Sequence, residues 1–236
     1  MKRTVIAGNK RIEYTLIQTV RSHVLFQALP EGVIRVYAPQ GLRLRDIDQM
    51  VRDRAGELLE MGHAVDQRLE EDRRNHPVGE GAHILVEGAP HAIHLNRGAR
   101  VRGTVENGIL SLTLPEPDSD PAIRAAIRSV LSERALQRIR ERVQFYAPQV
   151  GRAPGRITIR EQKTRWGSCS GKGNLYFNWK LIMAPPQVLD YVVIHELCHL
   201  LEFNHSPRFW ALVENQMPDY KIWKKWLDQH KEDLYL

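Results

Sequence analysis

The sequence predicts an α+β chain, β-rich toward the N-terminus and helical toward the C-terminus. Three observations carry this. Short β-branched or alternating segments recur through the first hundred or so residues. After residue 120 the apolar period becomes that of a helix. Between the two, Pro115, Pro117 and Pro121 stand among Glu116, Asp118 and Asp120, a composition that suits a linker. The expected division is a mainly β region over 1–117 and a second domain over 118–236.

Strands are expected over 11–20, 32–38, 83–87, 91–95 and 109–114, with a hairpin turn at Gly88-Ala89-Pro90. One helix interrupts them at about 46–69. Ile47, Met50, Val51, Leu58 and Met61 share its face, and Asp46 is a plausible N-cap. The polar stretch 70–80 reads as a loop. Asp120 is expected to cap the next helix and Pro121 to open it, since proline at the first helical position loses no needed hydrogen bond. Its period runs through Ile123, Ile127, Leu131, Ile139 and Val143 to about Tyr146. A strand over 156–161, a loop over 166–173 and a strand over 174–179 follow. Pro185-Pro186 starts a helix that runs to about Phe203, and two more helices fit 207–216 and 220–230. No internal repeat is evident.

Composition narrows the function classes. The chain has 236 residues, 42% hydrophobic and 26% charged, which excludes a disordered, collagen-like or coiled-coil protein. No apolar run approaches the roughly 18–20 residues of a membrane span, and the N-terminus lacks an apolar signal core. Two cysteines, Cys169 and Cys198, make no disulfide scaffold, so a reduced cytoplasmic protein is expected. The net charge of +6 permits a phosphate-bearing partner, but its size is that of a solvated basic surface.

The informative segment is His195-Glu196-Leu197-Cys198-His199. On a helix, residues four apart lie about 40° apart around the axis, so His195 and His199 project from one face. Two imidazoles there can share one Zn²⁺ at roughly 2.0–2.1 Å. Glu196, about 100° round from His195, can stand beside the metal and take a proton from water without ligating. A shuffled chain of this composition would contain about 0.03 such motifs. A catalytic zinc needs three protein ligands and one open position. His205 is the best third ligand, since Asn204 suits a helix-ending turn and Pro207 prevents continuation. Glu202 and Glu214 are its rivals. Metzincins share the spacing but carry glycine where Glu202 stands, so that label does not transfer. Cys198 is a further candidate ligand, though a small buried thiol is the simpler role.

Thr164-Arg165-Trp166-Gly167-Ser168-Cys169-Ser170, Asn174-Leu175, Asn178-Trp179, Leu181, the histidine motif, Asn204-His205-Ser206 and Phe209-Trp210 together resemble the YgjP-like (DUF45) metallopeptidases. The resemblance is densest over 163–210 and spans nearly the whole chain. It implies a zincin-like zinc hydrolase of the cytoplasm, related to the SprT and WLM peptidases. It also implies one zinc per chain on His195, His199 and His205, with Glu196 as base.

The expected reaction is hydrolysis of a peptide or protein by water made acidic at zinc, with Glu196 moving the proton. Arg165 and Tyr191 are candidates to stabilise the oxyanion. The strand over 174–179 is expected beside the metal helix, offering an edge to an extended peptide. Trp166 and Trp179 read as core, and Phe209 and Trp210 as packing for the next helix. A zinc-dependent nucleotide or phosphoanhydride hydrolase is an alternative, although Gly171-Lys172-Gly173 is too short for a phosphate loop. A nucleic-acid-associated protease is another, without a recognition motif to support it. The sequence is silent on oligomeric state.

Overall fold

A computed structural model describes residues 1–162, 165–234 and 236, and for Asp72 the backbone alone. The chain forms two compact units, Met1–His76 and Pro77–Leu236.

In the first unit, strands Lys2–Ala7 (β1), Lys10–Thr19 (β2), Leu25–Ala28 (β3) and Ile34–Pro39 (β4) form one sheet in the order β1-β2-β4-β3. β1 and β2 are antiparallel, as are β3 and β4, while β2 and β4 are parallel. Alternation explains the sheet. Ile12, Tyr14 and Leu16 of β2, and Ile34, Val36 and Ala38 of β4, all face one core. The expected helix is two helices, Leu44–Asp53 (α1) and Ala55–Asn75 (α2), separated at Arg54. Arg43, not Asp46, is the N-cap residue. Asp46 lies in the first turn, where a carboxylate suits the helix dipole, and takes a hydrogen bond from Arg43 (2.9 Å). α2 also extends through most of the stretch expected as loop. Arg73 and Arg74 occupy its last turn, where cations favour the helix. Asp48 of α1 accepts hydrogen bonds from Arg3 (2.9 Å) and from the Tyr14 hydroxyl (2.6 Å).

The second unit begins with the same arrangement. Strands His83–Val86 (β5), Ala89–Arg97 (β6), Arg102–Glu106 (β7) and Ile109–Leu114 (β8) run in the order β5-β6-β8-β7, with the same senses of pairing. This is an internal repeat that the sequence does not announce. The buried residues Ile34, Val36 and Ala38 recur 76 positions later as Leu110, Leu112 and Leu114. Burial is shared, identity is not.

The β5–β6 turn is Glu87-Gly88, both with positive φ, so Ala89 and Pro90 belong to the strand. The turn is used. Glu87 and Gly88 donate backbone hydrogen bonds to Ile182 O (2.6 Å) and Met183 O (3.1 Å). A Cβ on Gly88 would stand 2.9 Å from Pro185 Cα.

Helix Asp120–Val150 (α3) is capped by Ser119, whose hydroxyl accepts from Ala122 N (3.4 Å), rather than by Asp120, which pairs with Arg124. It runs past Tyr146 and ends at Gly151 in the left-handed conformation. The proline-rich segment does not separate the compact units. β8 and α3 share one core, in which Leu110, Leu112 and Leu114 join Ile123, Ile127 and Leu131. The division falls instead between His76 and Pro77.

Ile157–Arg160 (β9), Gly167–Cys169 (β10) and Leu175–Asn178 (β11) form a second sheet in the order β10-β11-β9. A 3₁₀ turn, Trp179–Met183, leads to helices Pro186–Cys198 (α4), Pro207–Gln216 (α5) and Tyr220–His230 (α6). α4 is shorter than expected, with His199 its C-cap. α3 packs against both the 3₁₀ turn and α4.

Candidate metal centre and active site

α4 is buried on nearly every side. Val188, Leu189, Val192, Val193, Ile194 and Leu197 all lie in the core of the second unit. Such a helix is held rigidly, and its half-buried polar face is the exception that needs explaining. His195 and His199 form that face. After Cys198 the chain turns back through 199–205. Ser206 then caps α5, accepting from Phe209 N (3.3 Å), and Pro207 opens it. This return delivers His205 to the other two histidines.

His195 Nε2 lies 3.2 Å from His199 Nε2 and 3.0 Å from His205 Nε2. A tetrahedral metal with bonds of about 2.0–2.1 Å places its ligand nitrogens roughly 3.3–3.4 Å apart, so these two separations nearly match that edge, and all three ligand atoms lie within 4.8 Å of one another. His199 Nδ1–H donates to the Glu202 carbonyl (3.1 Å), which fixes the tautomer and leaves the Nε2 lone pair free. His195 Nδ1 is buried with no hydrogen-bond partner. Burial, and then the neighbouring imidazoles, push His195 down to about 3 and lower His199 too. Neutral imidazole is the form that binds metal. Among the described residues this is the one cluster of three or more metal-type side chains. Its donor set fits a borderline-soft divalent ion such as zinc.

The structure brings neither Glu202 nor Glu214 into the cluster. The Glu202 carboxylate faces Arg208 (3.8 Å), and that of Glu214 accepts from Lys221 (3.3 Å). Cys198 is fully buried outside it, and burial pushes its thiol up to about 12. Cys169 lines the cleft, its thiol also raised by burial and then by Glu196. Aromatic rings brace the imidazoles. Phe209 stacks on His199 (4.5 Å between centroids), and Trp210 on His205 (5.7 Å) and on Tyr220 (5.4 Å). Phe209 and Trp210 thus do more than pack α5 against α4, the role expected of them. Their spacing of four and five residues beyond His205 was the available signal.

Glu196 is 4% exposed, and its Oε2 has no hydrogen-bond partner. Burial pushes its carboxyl up to about 8, with Arg165 pulling the other way. The triad and Glu196 open into a cleft of about 520 Å³ that Arg165, Trp166, Tyr191 and Phe203 also line. Tyr191 stands edge-on to His195 (5.9 Å) and stacked on Tyr220 (6.3 Å), its hydroxyl pKa raised by burial. Arg165 is exposed. Trp179 is core, whereas Trp166 faces the cleft. Thr164, the first residue of the motif around Arg165, lies outside the described residues.

The strand beside α4 is β10, within the stretch expected as loop, and not β11, which is central. Gly167–Cys169 is too short to show a period. Asn178 N donates to Trp166 O (2.8 Å), and Ser170 N to Asn174 O (2.9 Å). By antiparallel alternation Ser168 also bonds to β11, so the backbone groups of Gly167 and Cys169 point to the free edge.

Two imidazoles and a buried carboxylate from α4 and its C-cap, met by a third imidazole from the segment before α5, are the residue set of a metal-dependent hydrolase. The YgjP-like metallopeptidase domain matches residues 22–230, and the chain belongs to that family. It is therefore a metallopeptidase, a hydrolase that works through a metal ion on peptide or protein substrates. Among solved structures, the crystal structure of the metallopeptidase zymogen of Methanocaldococcus jannaschii jannalysin is similar over 39% of this chain and 94% of that chain, at 21% identity and a TM-score of 0.35. Curated proteins give no match. Among the described residues, no helix is long and apolar enough to cross a membrane.

Proposed function

We propose that the chain is a zinc-dependent peptidase, with one zinc on His195, His199 and His205 and Glu196 as general base. The observation that carries this is the convergence of three Nε2 atoms beside a buried carboxylate whose Oε2 has no hydrogen-bond partner. Zinc supplies a Lewis acid there, polarising the scissile carbonyl and acidifying water. Glu196 takes a proton from the attacking water and delivers it to the leaving amine. Burial raises the affinity of the Glu196 carboxyl for a proton, and a divalent cation on the three imidazoles would oppose that shift. Tyr191 and Arg165 face the same cleft and supply donors to the oxyanion. An extended substrate pairs with the free edge of β10, where main-chain hydrogen bonds give affinity with little sequence preference.

The charge distribution supports a peptide over a polyanion. Several arginines of α3 are engaged with acidic side chains: Arg128 with Glu161, Arg134 with Glu87, and Arg142 with Asp190. Gly171-Lys172-Gly173 closes the β10–β11 hairpin, with Gly173 N bonded to Ser170 O, and forms no phosphate cradle. The free thiols Cys169 and Cys198 suit a reducing compartment, the cytoplasm.

Elemental analysis tests the reading. The purified protein should hold about one zinc per chain, and His205→Ala should lose it or bind it far more weakly. A protein that neither contains nor takes up zinc would overturn it.

A further inference from the structure

We propose that Gly167 is a positioning residue for Glu196: the side chain it lacks is the space that the Glu196 carboxylate occupies. The proposal rests on the reading of Glu196 as general base, but the contact itself is testable without turnover. An ideal Cβ on Gly167 would stand 2.5 Å from Glu196 Oε1, 2.7 Å from Cγ and 2.8 Å from Cδ. Each distance is inside van der Waals contact. Because Cγ is near the root of the side chain, swinging the carboxylate tip alone does not relieve the clash. Glu196 is 4% exposed and lines the cleft, so relieving the clash means moving the side chain away from β10 toward the cleft.

The backbone gives no other reason for glycine. Gly167 is absent from the positive-φ glycines, so its strand conformation is open to alanine. Oε2 of Glu196 has no hydrogen-bond partner. Packing against β10, rather than a hydrogen bond to Oε2, sets how far the carboxylate reaches toward that strand. The residue that forms this contact also presents free backbone groups at the edge of the sheet. One strand thereby fixes the base relative to a peptide laid along that edge. A displacement of about 1 Å at such a place can cost 10²-fold in rate.

The test is a double-variant cycle on the metal-free protein. Gly167→Ala should lower the thermal midpoint by several degrees when residue 196 is glutamate, and by little or nothing in the Glu196→Ala background, where the obstructing atoms are gone. A crystal structure of Gly167→Ala should show the carboxylate turned away from β10. In the zinc-loaded enzyme, zinc content should be unchanged, kcat should fall about 100-fold, and KM should move only a few-fold. Equal loss of midpoint in both backgrounds would overturn the proposal, as would wild-type kcat in Gly167→Ala. If Gly167→Ala does not fold, the double variant must; failure of both would show that the strand needs glycine for its own sake. Since midpoints and coordinates need no activity, failure of this contact is distinguishable from failure of the peptidase reading.

Discussion

The two four-stranded sheets share a strand order but differ in what their helices can carry. After β4, Ile47, Val51 and Ala55 turn into the core of the first unit. After β8, Ile123, Ile127 and Leu131 do the same, each 76 positions later. Then the copies part. α3 continues unbroken with Ala135, Ile139, Val143 and Ala147 buried. The corresponding positions of α2 are Leu59, His63, Gln67 and Glu71, half-buried or exposed. A helix with one apolar stretch completes a single sheet. A helix that stays apolar for seven turns also supports the 3₁₀ turn and α4, and so the candidate metal centre. The same module is thus a self-contained unit in one place and a scaffold in the other.

The largest effect should be chemical, since the first unit offers no group of three or more metal-type ligands among the described residues. Glu196→Gln should retain zinc and lose about 10²–10⁴ in kcat. Turnover assays beside elemental analysis check this, and full activity in the variant would remove Glu196 from the mechanism.

Next comes the scaffold itself. Ile139→Ala deletes fully buried methylenes, at a cost of about 2–5 kcal/mol. His63→Ala, at the corresponding exposed position, should change stability by less than about 0.5 kcal/mol. Denaturant titrations followed by a probe in each unit decide the matter. Equal effects at both sites would mean that the two helices do the same structural job.

A smaller effect belongs to the first unit. Hydrogen bonding from Arg3, then from Tyr14, holds the Asp48 carboxyl below its usual range despite partial burial. A carboxyl with a depressed folded pKa stabilises the fold above its unfolded value near pH 4. That stability is lost as pH falls through the folded value. Asp48→Asn should therefore cost about 1–3 kcal/mol at neutral pH and flatten the acid limb of the unfolding curve, leaving zinc content unchanged. An unaltered acid limb would assign that pH dependence to other carboxylates.

Local rules made much of this molecule legible. The spacing of His195, Glu196 and His199 needs only helix geometry, and Pro207 marks the break after His205; Asn204 does not end α4, which stops at Cys198, and the Ser206 cap came from the structure. Alternation located β2, β4, β5, β6 and β8, and the helical period located α3 and the three helices that follow. What the sequence could not settle depends on partners far along the chain. β10 is three residues long and becomes a strand only by pairing with β11. The boundary at His76–Pro77 follows from β8 sharing its core with α3, which no linker composition announces. The repeat is carried by which residues are buried rather than which residues they are. Gly167 reads as one glycine in a loop until Glu196, 29 positions later, is folded against it. Short-range geometry fixed the candidate ligands, whereas packing between distant segments decided what surrounds them, because a contact at long sequence separation leaves no period in the chain.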